Sequence, residues 1–181
     1  VRFYQNGVGR YVTVDSMLPT YGGGYLLYAG MGSQASNSGN VLWVALAEKA
    51  YVQMNETGWL RPAGWGGGIN AYSEIAGGMF SDVTRQVANR VASNLWVNGT
   101  SDAAALNNAV TSHKFVGFAS MGTPGDSRIV GNHQYIVTAY NDATKTVTLF
   151  NPWGINNGSA PGLVDMNLSQ LAGSFDYWSV A

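Results

Sequence analysis

Cysteine is absent from this chain of 181 residues. That excludes disulfides and thiolate-held metals, and it leaves the chain without a thiol nucleophile. Charge is scarce too. Asp, Glu, Lys and Arg make up 10% of the residues, against roughly 25% in an ordinary globular domain. There are only three lysines and the net charge is −1. This argues against a binder of nucleic-acid backbones, which needs a basic face. No apolar run approaches the length of about 18 residues that a membrane-spanning helix needs, and no secretory leader is visible. The sequence starts at Val1 and runs directly into strand-like residues, as an excised domain or a processed product would. Its cysteine-free, Asn- and Gly-rich composition points toward export or the cell surface.

What is present can build a core. Hydrophobic residues amount to 46%, enough for a packed domain of this length and too many for a disordered chain. Arg10-Tyr11-Val12-Thr13-Val14 is aromatic and β-branched and predicts a strand. A second short run, Tyr25-Leu26-Leu27-Tyr28, is expected to pair with it as a β-ribbon. Residues 29–40 are expected to form a loop. Trp43, Leu46, Ala47, Ala50, Tyr51 and Met54 then fall on one face of a helix over about 41–54. Residues 55–78 are glycine-rich, a long loop of the kind that is often functional. Ser81 is placed to cap a helix over 82–95 whose inner face would be Val83, Val87, Val91 and Leu95. A short helix over about 102–110 follows.

The last third reads as β-structure. Lys114 to Ser120 predicts a strand, and Ile129 to Tyr140 with Lys145 to Phe150 predict a hairpin across Asn141-Asp142-Ala143-Thr144. Asn167 is placed to cap one helical turn, and Phe175 to Val180 closes the chain as a strand. Helices first and an antiparallel sheet afterwards indicate an α+β architecture.

Two residues of that hairpin carry a chemical possibility. His133 heads one strand and Asn151 ends the next, so antiparallel pairing brings them side by side. A histidine base needs a third group to fix its tautomer. A carboxamide oxygen can accept from one ring nitrogen and leave the other free for a proton on the substrate side. Trp153 could cover that bond and keep water from it. A structural reading stands beside this one. A histidine flanking a strand is usually a satisfied scaffold residue, and Asn151-Pro152-Trp153-Gly154 could serve as a turn plug. His113, beside Lys114 and with no orienting partner in sequence, is read as structural. Trp59 and Trp65 would be either core plugs or the rim of a groove.

Four blocks in order give a family resemblance. Val12-Thr13-Val14-Asp15-Ser16-Met17-Leu18-Pro19-Thr20 is similar to the V-x-V-D-D-x-L-P-T strand of the calpain family of papain-like cysteine endopeptidases. Leu42-Trp43-Val44-Ala45-Leu46-Ala47-Glu48-Lys49-Ala50-Tyr51 resembles that family's F-W-x-x-L-L-E-K-A-Y helix. Gly131-Asn132-His133-Gln134-Tyr135 resembles G-H-A-Y, and Asn151-Pro152-Trp153-Gly154 matches N-P-W-G. Leu168 to Val180 is similar to the short helix and strand that end the protease core. The resemblance implies a papain-like half: helices packed on an antiparallel sheet, with an N-terminal β-ribbon. Residues 1–40 would be the tail of the first protease subdomain and 41–181 the second. It implies His133 and Asn151 as catalytic residues, with Trp153, Gly131 and Trp65 shielding the pair or lining a substrate groove.

The departures define what the chain would need. The family's G-x-x-G-x-C-W block, which supplies the nucleophile and the oxyanion-hole glutamine, has no counterpart here. A protein or peptide substrate and a Cys-bearing segment of the same protease are the implied partners, with no nucleic acid and no membrane. Ser16 stands at the second Asp of D-D, and Ser38 stands where animal members place a calcium ligand. The mid-domain tryptophan that follows a Gly-Gly has no clear match near Gly77-Gly78-Met79-Phe80, and Ile155-Asn156-Asn157-Gly158-Ser159 replaces an acidic cluster. Hard cations need several oxygen ligands, so no cofactor is assigned; calcium enters only through the resemblance. Glu48 is expected to make a structural ion pair or buried hydrogen bond. A non-catalytic calpain-like binding or structural domain is the alternative.

Overall fold

In the computed structural model, residues 1–28, 36, 38, 42–58, 67–154 and 160–181 are described. Trp59, Trp65 and the stretch 155–159 lie outside the described residues. Contacts divide the chain into two units, Val1–Arg90 and Val91–Ala181. The composition break near residue 40 falls inside the first.

The first unit opens with a hairpin of β1 (Arg2–Gln5) and β2 (Val8–Tyr11). Its turn is Asn6-Gly7, both at positive φ (50° and 79°), the conformation that matches the twist of a tight hairpin and that Asn-Gly adopts most readily. A second hairpin joins β3 (Thr20–Tyr21) to β4 (Tyr25–Leu26). The expected pairing of residues 10–14 with 25–28 is therefore corrected. Each run instead pairs with its nearest neighbour across a Gly-containing turn.

Helix α1 (Trp43–Glu56) forms where predicted, but its buried side is different. Ala45, Ala50, Val52 and Met54 are buried, while Trp43, expected inside, is 67% exposed on the first turn. Phe3 packs with Ala50 and Met54 and lies edge-on to Tyr51 with centroids 5.6 Å apart. Lys49 Nζ donates to Asp15 Oδ1 and to the Met17 carbonyl, tying the Asp15–Thr20 segment to the helix.

Helix α2 is Phe80–Ala88, not 82–95, and Ser81 lies within it rather than capping it. Asn89 adopts the left-handed conformation (φ 54°), and Arg90 N–H reaches back to the Thr84 carbonyl at 3.0 Å, a C-terminal closure that stops the helix. Phe80, Thr84 and Gln86 are buried instead of the predicted valine row. Val83, Val87 and Val91 are exposed, Val91 at 85%. Gln86 is held by the Tyr51 hydroxyl.

The second unit is one antiparallel sheet of six strands in the order β5-β10-β6-β7-β8-β9. The strands are β5 (Ser93–Trp96), β6 (Val116–Ser120), β7 (Gln134–Asn141), β8 (Thr146–Phe150), β9 (Leu163–Asn167) and β10 (Phe175–Val180). A 3₁₀ turn over Gly99–Asp102 leads into α3 (Ala103–Thr111), whose Leu106 and Ala109 join the sheet's core. Helix α4 (Leu168–Leu171) begins as anticipated. Asn167 Oδ1 accepts from Ser169 N–H at 3.0 Å, and Gln170 Oε1 accepts from Asn167 N–H at 3.0 Å, a reciprocal cap. The architecture is α+β.

Phe118, Tyr135, Phe175 and Trp178 form the aromatic centre of this unit, each 1% exposed or less. Phe118 and Tyr135 both meet Phe175 edge-on, at 5.5 Å and 5.8 Å between centroids. The β7–β8 hairpin turns at Asn141, whose Oδ1 accepts from the N–H groups of Ala143 and Thr144 at 3.0 and 3.2 Å. This core fixes the ends of β6, β7 and β8, where the candidate site lies. No described helix is long and apolar enough to cross a membrane.

Candidate active site

Strand register decides which side chains can meet. Ile136 is opposite Phe150, so one step further places Asn151 opposite Tyr135. Side chains alternate faces along a strand, and His133, two residues before Tyr135, shares that face. His133 Nε2 and Asn151 Oδ1 are 2.9 Å apart. The sequence-predicted pair is thus brought together.

The Asn151-Pro152-Trp153-Gly154 segment then settles the direction of that hydrogen bond. It is a turn with Asn first, Pro second and Gly fourth, the residue order that type I turns favour, and Gly154 N–H donates to the Asn151 carbonyl at 2.9 Å. The same turn aims Trp153 N–H at Asn151 Oδ1, 3.0 Å away. A backbone N–H can only donate, so the amide oxygen is the atom that faces it. That oxygen also faces the imidazole, and His133 Nε2 must therefore carry the proton. In the neutral ring Nδ1 is left as the acceptor. Asn151 is 0% exposed. Its Nδ2 has no partner among the described residues, so Oδ1 carries all the hydrogen bonding assigned to this buried amide.

Two rings frame the imidazole. Trp153 lies 4.7 Å from it between centroids at 47°, and Tyr135 meets it edge-on at 5.3 Å and 89°. Trp153 remains 46% exposed, so it covers the ring from the solvent side. Gly131 has a steric reason. A Cβ there would collide with the carbonyl oxygen of Gly122, and the next residue, Asn132, takes a left-handed turn (φ 51°) that brings His133 to the strand's head.

One contributor was not anticipated from sequence. Ser120, the last residue of β6, is buried and accepts from His133 N–H through its Oγ at 2.8 Å. The only signal was a hydroxyl ending the apolar run Val116-Gly117-Phe118-Ala119. His113, read as structural, is exposed in the turn between α3 and β6 at φ 53°.

Glu48 departs from expectation. No hydrogen bond or ion pair to its carboxylate exists among the described residues; Lys49, the next residue, holds Asp15 instead. Burial pushes the Glu48 carboxyl above the usual range, and its charge helps push the Tyr72 hydroxyl up, after burial itself. Among the described residues no three His, Asp or Glu side chains converge as a metal site would require.

Comparison with known proteins identifies the family. The family model described as calpain family cysteine protease matches residues 1–160. Calpain-8 of Homo sapiens is 28% identical over 170 residues, which is 84% of this chain and 21% of that protein. A calpain-like protease, palB/RIM13, of Debaryomyces hansenii is 26% identical over 167 residues, 87% of this chain and 19% of that protein. The chain belongs to the calpain family of cysteine proteases. It spans about a fifth of the length of these relatives.

Proposed function

We propose that this chain is the His- and Asn-bearing part of a calpain-like cysteine endopeptidase, active when joined to a segment that supplies the cysteine. The observation that carries the reading is the 2.9 Å contact between His133 and Asn151, with the amide oriented by Trp153 N–H. In this reading His133 Nδ1 takes the proton of the incoming thiol, giving a thiolate–imidazolium pair. The thiolate attacks the scissile carbonyl carbon. As the C–N bond breaks, the imidazolium returns its proton to the leaving amine. Water then takes the thiol's place at the acyl carbon, His133 accepts its proton, and the acid product leaves with the thiol restored. Asn151 keeps Nε2–H directed away from the reacting atoms, and Trp153 limits water at that bond. The substrate class is protein or peptide.

The test is complementation. The Cys-bearing segment of a calpain-family protease is added to this chain, covalently or in trans, and peptide cleavage is measured beside a His133→Ala control. Cleavage that depends on His133 supports the proposal. Equal cleavage by both proteins removes it. The complete lack of cysteine favours a second reading, a non-catalytic relative that keeps the scaffold to bind protein; peptide binding without cleavage in the complemented assay would select it.

A further inference from the structure

We infer that Ser120 is a positioning residue for the His133 imidazole, acting through the histidine's backbone. The inference rests on the reading of His133 and Asn151 as a working pair and adds what holds the histidine in place. Strands β6 and β7 pair Phe118 with Tyr135 and Ala119 with Gln134, so the next opposed pair is Ser120 and His133. At such a position two antiparallel residues ordinarily exchange both backbone hydrogen bonds. Here one bond is regular: Ser120 N–H donates to the His133 carbonyl at 2.9 Å. The other is replaced. His133 N–H donates to the Ser120 hydroxyl at 2.8 Å, so a side chain stands in for a ladder carbonyl.

The hydroxyl proton has a destination as well. Ser120 Oγ lies 2.7 Å from the Val130 carbonyl and 3.0 Å from that of His133, and its single proton serves the nearer. Val130 N–H in turn donates to the Tyr135 hydroxyl at 2.8 Å, and the Tyr135 ring abuts the imidazole. A closed circuit thus runs from His133 through Ser120 and Val130 to Tyr135 and back to His133. It pins the segment 130–133 just where Asn132 turns left-handed and where Gly131 has no room for a side chain. Removing the hydroxyl frees His133 N–H and the Val130 carbonyl together. Two partly buried backbone groups then seek other partners, and the imidazole leaves its register with Asn151 Oδ1.

The measurement is solvent exchange of the His133 Nε2 proton, read by ¹⁵N-resolved NMR on this chain at a pH of about 8, above the ordinary imidazole range. The exposed His113 serves as an internal reference. In the unsubstituted protein the His133 proton should exchange more slowly than that of His113. Ser120→Ala should accelerate it by about tenfold or more, the factor equivalent to about 1.4 kcal/mol, and Ser120→Thr, which keeps the acceptor, should restore slow exchange. Ser174→Ala removes another buried serine hydroxyl, one that accepts from Asp126 N–H at 3.1 Å, and should leave the His133 proton unchanged. Should Ser120→Ala not fold, Ser120→Cys keeps the volume with a weak acceptor and must give the acceleration instead. Slow exchange in every Ser120 variant overturns the role of Ser120 and leaves the pair intact. So does equal acceleration by Ser174→Ala. If the unsubstituted His133 exchanges as fast as His113, the pairing itself is what fails.

Discussion

The two units solve the folding problem differently. In Val91–Ala181 fourteen buried residues form one apolar cluster under a continuous six-stranded sheet. In Val1–Arg90 the described cluster has three, Phe3, Ala50 and Met54, and polar ties link its elements: Lys49 to Asp15 and Met17, Tyr51 to Gln86. The contrast matters because His133 and Asn151 each directly flank a strand of the sheet. In the proposed reading they are a base and its orienting amide, which must be held to a fraction of an ångström, and close-packed interiors provide that rigidity. Surface ion pairs contribute little to it.

The sharpest way to break this comparison is to empty each core. Phe118→Ala should cost about 3–5 kcal/mol, the range for deleting a buried phenylalanine. Amide hydrogen exchange should accelerate across β5 to β10. Phe3→Ala empties a cluster of only three buried residues, flanked by the partly buried Val12, Val14 and Tyr51, which can relax; it should cost about 3 kcal/mol or below and should spare the sheet amides. If Phe3→Ala strips protection from the sheet as thoroughly as Phe118→Ala does, the two units do not have separate cores.

Next in size is Asn151→Ala. It leaves Trp153 N–H and His133 Nε2–H without the acceptor they share. One unsatisfied buried donor costs about 1–3 kcal/mol, and half-exposed Trp153 places the expected loss near the middle of that range. Urea unfolding measures it. A loss below about 0.5 kcal/mol would mean that the turn, not the amide, holds this corner. In the first unit, Lys49→Met should cost under about 1 kcal/mol, and less in high salt, because its partner Asp15 is largely exposed. A larger, salt-independent loss would show that the Asp15–Thr20 segment depends on this tie as the sheet depends on its core.

Legibility in the sequence follows the same division. The sheet's centre and the turn that carries Asn151 were visible because they rest on local rules. Asn141 makes its turn, Asn167 its cap, and the Asn-Pro-Trp-Gly order its Asx-type bond, each within a few residues. Strand β10 has the bounds the sequence predicts, since four of the six residues from Phe175 to Val180 are aromatic or β-branched. Edge strands were not visible. The side chains of Ser93-Asn94-Leu95-Trp96 are all exposed, so β5 exists through backbone pairing with β10, which leaves no pattern to read. Valines at every fourth place made 82–95 look helical, yet left-handed Asn89 ends the helix, and within it the buried face is Phe80, Thr84 and Gln86 while Val83 and Val87 face solvent. Ser120 was missed for a different reason: its role depends on a register between strands, and no local pattern carries that. The Asn6-Gly7 hairpin, by contrast, carries a strong local signal that the expected pairing of residues 10–14 with 25–28 leaves out.

The smallest effect expected concerns acid, and it has opposite signs in the two units. Glu48 of the first unit has its carboxyl raised by burial. It therefore binds a proton more tightly folded than unfolded, and stability falls as pH climbs from the ordinary value of 4.5 through the raised one. Glu48→Gln should accordingly stabilise the protein slightly near neutral pH, and the gain should vanish below pH 4.5. Asp126 of the second unit is held below the usual range by Arg128, whose guanidinium hydrogen-bonds it. Its contribution is present above 3.8 and is lost as pH falls through its lowered value, so Asp126→Asn should destabilise at neutral pH and lose that effect in strong acid. Unfolding midpoints across a pH series distinguish the two. A gain from Glu48→Gln that persists at low pH would mean that the side chain's shape, and not its ionisation, is what the first unit tolerates poorly.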